Sequence, residues 1–447
     1  MYSTTDTIVA IATPPGRGGI GVVRISGPLA IDVALQLARR TSLEPRRATL
    51  ATVSDSGGTA IDRAIVTTFQ APHSYTGEDV AEISAHGSPP VLQAILCAAM
   101  EYGARLANPG EFTFRAYLHG RVDLVQAEAI GALIESVTPL QARVAFDQLE
   151  GTLTGRLRQI DDMLLDVIAR LEASLDFPDE GYHFISGGEA PRDIARILAA
   201  VDALLADAAR GRVLREGLTA AILGRPNAGK SSLFNRLAGG ARAIVTDVPG
   251  TTRDLLTERI DIDGVPFTII DTAGLRSAAG DAIEEEGIAR ARQAAAAADV
   301  VLVVLDRSRP LTDEDAAILR DTAAARRVIV ASKSDLEPSW RAEDANAHPV
   351  SSLTDDGIGA LRQALIAAAG AGELRDRAAI ANVRQRALLE RIRTALGSAA
   401  AAAAAATPEE FVLADLRDAR AHLDEISGAR PDDEVLRAIF SRFCIGK

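Results

Sequence analysis

The chain has 447 residues, which at about 150 residues per domain predicts roughly three domains and excludes a peptide ligand or a disulfide miniprotein. Its two cysteines, Cys97 and Cys444, provide neither a disulfide framework nor a Cys-based zinc cluster and fit a reducing cytoplasm. Net charge is −13, from 48 Lys and Arg against 61 Asp and Glu, so the chain is not built to blanket a phosphate backbone.

In chain order, residues 1 to 118 alternate short apolar runs with turn signals. Thr7 to Ala12, the Pro14-Pro15-Gly16-Arg17-Gly18-Gly19 turn, Ile20 to Ile25, Ile65 to Phe69 and Val80 to Ile83 give an α+β pattern. Gly16 to Gly19 could cradle an anion or form a plain β-turn. From Leu124 the text turns helical, with one stripe through Leu157, Ile160, Leu164, Val167 and Leu171, ended by Pro178. A second stripe through Ile194, Ile197, Val201, Leu204 and Ala208 is expected to stop at Gly211.

From Leu218, the β-type runs Ala220 to Leu223, Phe267 to Ile270, Val300 to Leu305 and Val328 to Ala331 alternate with helical stretches, which implies a parallel sheet with crossover helices. Helical text returns beyond Gly372 with the alanine run Ala399 to Ala406. Thr407-Pro408-Glu409-Glu410 then reads as a capping box with proline at the first helical position. The expected fold class is multi-domain: an α+β N-terminal domain (1–118), a helical domain in two pieces (119–216 and 374–447), and an inserted α/β domain (217–373) with a mostly parallel sheet.

No run of about 18 apolar residues occurs and the first residues lack the pattern of a signal peptide, so a soluble, uncleaved cytoplasmic protein with no membrane partner is expected. Cys444-Ile445-Gly446-Lys447 is not a prenylation box, because Gly446 is not aliphatic and Lys447 is a poor terminal residue. Only three lysines, Lys230, Lys333 and Lys447, stand against 45 arginines. Each marks a place suited to a compact point charge on a flexible stem.

Gly224-Arg225-Pro226-Asn227-Ala228-Gly229-Lys230-Ser231 satisfies G-x-x-x-x-G-K-[ST], follows an apolar strand and leads into a helical segment, the context of a phosphate loop. Its glycines let backbone N–H groups wrap a phosphate at a helix N-terminus, Lys230 lies against the β/γ oxygens, and Ser231 supplies a hydroxyl to Mg²⁺. Asp271-Thr272-Ala273-Gly274 closes the strand Phe267 to Ile270, bringing a carboxylate near Mg²⁺ and a glycine N–H near a γ-phosphate. Thr251-Thr252 offers a threonine that completes the Mg²⁺ shell only when the γ-phosphate is present. After the strand Val328 to Ala331 comes Ser332-Lys333-Ser334-Asp335. Asp335 can accept from N1–H and the exocyclic amine of guanine, while the Lys333 stem covers the base plane, so GTP is read over ATP. Ras-like GTPases orient the attacking water with a glutamine after the D-x-x-G glycine; this chain has Leu275 there, so the water must be positioned from elsewhere.

The phosphate loop with its following Ser232, the run Thr246-Asp247-Val248-Pro249-Gly250-Thr251-Thr252-Arg253-Asp254, and Asp-Thr-Ala-Gly-Leu-Arg from Asp271 resemble the TrmE-Era-EngA type GTPases. The inserted domain, the N-terminal Thr7-Ile8-Val9-Ala10 with Ala12 to Gly18, and the closing Phe443-Cys444-Ile445-Gly446-Lys447 narrow the resemblance to the tRNA-modification branch of that family, over essentially the whole chain. Its guanine motif usually opens with Asn and here opens with Ser332, which supplies fewer side-chain hydrogen bonds.

The resemblance implies GTP contacts at Asn227, Ala228, Gly229, Lys230, Ser231, Ser232, Thr246 through Thr252, Asp271 through Gly274, Lys333, Asp335, Ser351 and Ser352, with Mg²⁺ held by Ser231 and Thr252. It implies that K⁺ replaces an arginine finger, held by Asn227 and the backbone around Thr246, Val248 and Thr251 when two GTPase domains meet face to face, and that Glu284 orients the water. The N-terminal domain resembles a tetrahydrofolate-binding fold and would dimerise. Arg24, Glu82, Arg121 and Lys447 would contact a 5-formyl-tetrahydrofolate. Implied is a homodimer that, with the FAD-dependent partner MnmG in a heterotetramer-type complex, adds a carboxymethylaminomethyl-type group at C5 of the wobble uridine of tRNA shared with that partner. A ribosome-assembly GTPase switch is the alternative; the absence of a basic KH-like C-terminus favours the first reading.

Overall fold

A computed structural model of the chain describes residues 5–176, 189–240, 256–271, 293, 295–370, 382–405, 407–429, 433–443 and 445–446. They fall into two compact units, one of Met1–Gly131, Gln148–Arg158 and Arg420–Lys447, the other of Ala132–Asp147 and Gln159–Ala419.

The first unit holds a six-stranded sheet, β1 (Ile8–Ile11), β2 (Gly18–Ser26), β3 (Thr49–Ser54), β4 (Ala60–Phe69), β5 (Val80–Gly87) and β6 (Arg105–Leu106), in the order β3-β4-β5-β2-β1-β6. Only the β1–β6 pair is parallel. Helices α1 (Ala30–Ala38) and α2 (Pro89–Glu101) cover one face, where Val33, Leu37 and Ile95 pack with Val9, Val23, Ile25 and Ile83. On the other face Ile8 and Ala10 cluster with Ala107 and with Phe112 of α3 (Glu111–Leu118). Burial on both faces is why β1 reads as an unbroken apolar run instead of an alternation.

Four helices follow: α4 (Leu124–Ile134), α5 (Pro139–Leu149), α6 (Thr152–Asp176) and α7 (Glu189–Glu216). Every stripe residue from Leu157 to Leu171 and from Ile194 to Ala208 is at most 3% exposed. The expected stop at Gly211 does not occur, since α7 continues to Glu216. An interior glycine costs about 1 kcal/mol relative to alanine, and Val213, just beyond it, packs against the α/β core. Burial of that last stretch outweighs the local preference.

The second unit contains a sheet of β7 (Leu218–Leu223), β8 (Leu256–Ile262), β9 (Val265–Asp271), β10 (Val300–Asp306), β11 (Arg327–Ser332) and β12 (His348–Val350), in the order β12-β11-β10-β7-β9-β8. All neighbours are parallel except the β8–β9 hairpin. That hairpin turns on Asp263 and Gly264, with φ of 51° and 93°, the positive pair that Asp-Gly turns supply. Strand β10 is buried along its whole length. Helices α8 (Lys230–Gly240), α9 (Asp313–Asp321) and α10 (Ile358–Ala368) flank the sheet; Leu233, Leu237, Leu361 and Leu365 close its main core. Helix α11 (Val383–Ala404) lies along α7, with Arg393 paired to Asp202 at 2.6 Å.

Two more helices, α12 (Glu409–Ser427) and α13 (Asp433–Phe440), complete the described chain. The capping box expected at Thr407 is replaced by a backward contact, in which its hydroxyl donates to the Ala402 carbonyl at the end of α11. The box that does form is at Thr312 and Asp315, at the start of α9.

Candidate nucleotide-binding site

The parallel strands bring the turns after β7, β10 and β11 to their carboxyl ends, where open α/β sheets bind ligands. Residues 224–229 join β7 to α8. Gly224 has φ +155°, and a Cβ there would lie 2.4 Å from the Val304 carbonyl oxygen; Gly229 has φ +96°. Asn227, at φ 63°, also adopts the left-handed region, which Asn tolerates better than most residues. The result is a curled main chain entering the N-terminus of α8, whose first N–H groups lack intrahelical partners. Lys230, 6% exposed, draws its Nζ back across the loop, donating to the Gly224 and Arg225 carbonyls at 2.8 Å each. This cradle of left-handed backbone, helix N-terminus and one ammonium fits a polyphosphate.

Ser231 and Ser232 open the helix and are exposed, as is Asn227, while Ala228 is buried. One hydroxyl such as that of Ser231 suits Mg²⁺, which keeps waters and phosphate oxygens as most of its ligands. The backbone of Asp271 is in register with Ile222, next to the strand that feeds the loop.

The turn after β11 carries the second half. Ser332, 6% exposed, donates its Oγ–H toward the Ala228 carbonyl at 2.6 Å and the Leu305 carbonyl at 3.0 Å. One hydroxyl thereby ties the phosphate loop to the strand end that leads to Asp335. Lys333 takes a left-handed φ of 60° and its Nζ pairs with Asp306 Oδ2 at 2.7 Å. Burial alone would raise the Asp306 carboxyl; donation from Lys333 and Ser308 outweighs it and holds the group below its ordinary value. Asp335 Oδ1 accepts from Ser351 Oγ at 2.6 Å, and Ser351 Oγ in turn accepts from the N–H groups of Leu353 and Thr354 at 3.2 Å each. Ser352 follows, partly exposed.

The structure thus brings Asn227 through Ser232 into one loop and helix start, and Lys333, Asp335 and Ser351 into a second cluster joined to it through Ser332. Sequence reasoning missed Asp306, which anchors Lys333, and Trp340, whose Nε1–H donates to the Asp306 carbonyl at 3.0 Å. An acidic residue at the end of an apolar strand was the available signal, but nothing in the spacing links it to Lys333. Thr246, Asp247, Val248, Pro249, Gly250, Thr251, Thr252, Thr272, Ala273, Gly274, Glu284 and Lys447 lie outside the described residues, as does the side chain of Asp271.

In the first unit Arg24 of β2 and Glu82 of β5 are cross-strand partners, with Nε to Oε1 at 2.8 Å. The guanidinium lies 5.1 Å from the Tyr75 ring centroid and 5.8 Å from that of Phe112, and Nη1 donates to the Gly446 carbonyl at 3.5 Å. Arg121 is exposed and stands beside Gly77, where an added Cβ would meet its Cγ at 3.4 Å. Ser26, two residues beyond Arg24 and on the same strand face, donates to Glu78 Oε2 at 2.7 Å. Behind it lies a network centred on Arg115, 0% exposed. Its Nη1 donates to the Asp6 carbonyl at 2.7 Å and to both Glu78 oxygens at 3.1 Å, and its Nη2 to Asp6 Oδ1 at 2.7 Å and Glu111 Oε1 at 3.0 Å. Arg105 pairs with Asp6 and Glu111 at 2.6 Å each. Burial pushes the Asp6 and Glu111 carboxyls up; the two arginines, joined at Glu111 by the Asn108 N–H, more than offset it, leaving both below their ordinary values.

Among the described residues no helix is long and apolar enough to cross a membrane. Residues 7–121 match the family model of the GTP-binding protein TrmE N-terminus, and residues 124–444 that of the MnmE helical domain. The chain is 44% identical over 454 residues to the tRNA modification GTPase MnmE of Koribacter versatilis, with 99% of each chain covered. It is 46% identical over 449 residues to that of Azoarcus sp., covering 99% of this chain and 98% of the other. Identity to that of Thermus thermophilus is 43% over 459 residues, covering both chains fully. With two family models spanning nearly its whole length, the chain belongs to the MnmE family of tRNA modification GTPases.

Proposed function

We propose that this chain hydrolyses GTP in tRNA modification, as the GTPase subunit that acts with an FAD-dependent MnmG partner at C5 of the wobble uridine. The observation that carries the GTP reading is the Ser332 hydroxyl. It joins a phosphate-loop carbonyl to the strand end that precedes Asp335, so the phosphate-binding and base-reading parts share one rigid reference. Lys230 supplies the mobile positive charge for the phosphate oxygens, and Ser351 aims the Asp335 carboxylate at the Watson–Crick edge of guanine. Mg²⁺ use accompanies GTP hydrolysis, with Ser231 and Thr252 as its protein ligands.

Leu275 cannot orient a water, and in this reading Glu284 does so. K⁺ supplies positive charge at the phosphates when bound, and Asn227 with the backbone of Thr246, Val248 and Thr251 would hold it as two GTPase domains meet. The domains run 1–118, 119–216 with 374–447, and 217–373. The first binds 5-formyl-tetrahydrofolate through Arg24, Glu82, Arg121 and Lys447 and makes the chain a homodimer; the cross-strand Arg24–Glu82 pair beside two aromatic rings supports that assignment. With a net charge of −13, the chain shares tRNA with its partner in a cytoplasmic complex.

Mass spectrometry of wobble uridines in a strain lacking the gene tests the function. Loss of the C5 group is expected, and an unchanged uridine profile with defective ribosome assembly would replace this reading with that of an assembly switch. Purified chain should hydrolyse GTP and not ATP; equal rates at equal concentration would overturn the role given to Asp335.

A further inference from the structure

We propose that Arg225 is a positioning residue of the phosphate loop, and that its partner is Asp315, at the start of α9 and 90 residues away in sequence. The proposal rests on reading residues 224–231 as the phosphate loop and adds to it an anchor outside the nucleotide motif. Arg225 Nε lies 3.5 Å from Asp315 Oδ2, with side-chain exposures of 16% and 1%. Asp315 is the third residue of α9, and its Oδ2 also accepts from the N–H and the hydroxyl of Thr312 at 3.0 and 2.9 Å. Its Oδ1 is buried with no partner among the described residues. A buried carboxylate needs compensation. Arg225 and the N–H and hydroxyl of Thr312, the residue that caps α9, supply it.

The same residue grips the loop from inside. The Arg225 carbonyl accepts from Lys230 Nζ at 2.8 Å and from the Ala228 N–H at 3.3 Å. Its neighbours leave little freedom to adjust, since Gly224 is wedged against the Val304 carbonyl and Pro226 restricts the residue before it to extended backbone. Direction at one end therefore fixes direction at the other: α9 holds the guanidinium, and the attached peptide presents its carbonyl to Lys230. Because the guanidinium faces Asp315, it acts on the phosphates only through the loop.

The test is titration of full-length chain with a fluorescent GDP analogue in Mg²⁺, together with steady-state GTP hydrolysis. Arg225→Gln and Asp315→Asn should each weaken nucleotide binding about tenfold, the scale of one charge-assisted contact. KM should rise while kcat stays within twofold, and the double variant should be no worse than either single one. Arg225→Lys, which keeps the charge but not the planar fork, should fall between. A wild-type chain that fails to bind GDP would remove the phosphate-loop reading itself. Binding by wild type and by both single variants within twofold of each other would overturn this proposal alone. So would a loss confined to Arg225→Gln, which would make the guanidinium a direct phosphate ligand. If Asp315→Asn does not fold, the order wild type, Arg225→Lys, Arg225→Gln in affinity at unchanged kcat decides, and equal affinities overturn it.

Discussion

Between Gly224 and Lys230 the second unit makes its candidate site from main chain: positive-φ residues, a helix N-terminus, and an ammonium folded onto two carbonyls. Around Arg24 the first unit works with side chains, setting one half-buried ion pair in front of a web in which Arg105, Asp6 and Glu78 surround the fully buried Arg115 and Glu111. The first construction presents its ligand-binding groups chiefly from the backbone, with a few side chains such as Lys230 and Ser332 holding that backbone in shape. In the second, each charge depends on the others. Changes in the phosphate loop should therefore be felt in binding, and changes in the ionic web in stability.

The largest effect is expected for Arg115→Leu. It removes the buried cation that three carboxylates share, leaving Glu78 without an arginine and Asp6 and Glu111 with Arg105 alone, and should cost on the order of 3–5 kcal/mol, seen as a lowered transition of the first unit in denaturant unfolding. A loss under about 1 kcal/mol would show that the web relaxes like a surface network. Lys230→Ala should instead leave the unfolding transition nearly unchanged while weakening GTP binding about 100-fold, as when two charge-assisted contacts go. A large stability loss there would erase the contrast between the units.

Asp335→Asn should move preference from guanine to xanthine nucleotides by about tenfold or more, since the exchanged donor and acceptor reverse one base contact. Competition between GDP and XDP measures it. Acid should act on the first unit through this web. Asp6 and Glu111 titrate below their ordinary 3.8 and 4.5 when folded, so their contribution is complete above those values and disappears as pH falls through the lower, folded ones. Unfolding midpoints from pH 6 down to 3 should drop more steeply for wild type than for Arg115→Leu. The smallest effect belongs to Ser332→Ala, about 1 kcal/mol in GDP affinity, and no change would remove the hydroxyl as the link between the two halves of the site.

The same division decides what could be read in the sequence. A loop that binds through its backbone must place Gly, Lys and Ser at fixed spacing, so residues 224–231 announce themselves, and the buried parallel strands β7, β9, β10 and β11 show as apolar runs. Strand β8 escaped because Leu-Thr-Glu-Arg-Ile-Asp-Ile carries the alternation of a sheet edge. Arg115 escaped because two of its partners lie 109 and 37 residues away, and its helical i,i+4 pairing with Glu111 reads locally as an ordinary surface ion pair. Asp315 was invisible for the same reason. Gly211 misled because its helix is held by packing and not by propensity.

The scarcity of lysine has a practical consequence. A lysine-specific endopeptidase has two internal targets in this chain, after Lys230 and after Lys333, one at the start of α8 and nearly inaccessible, the other on the guanine turn with its side chain 33% exposed. Cleavage at either requires the surrounding backbone to leave the fold and enter the protease. The rate of those two cuts is thus a direct clock for local opening of the nucleotide loops, and added GDP should slow both in proportion to its occupancy.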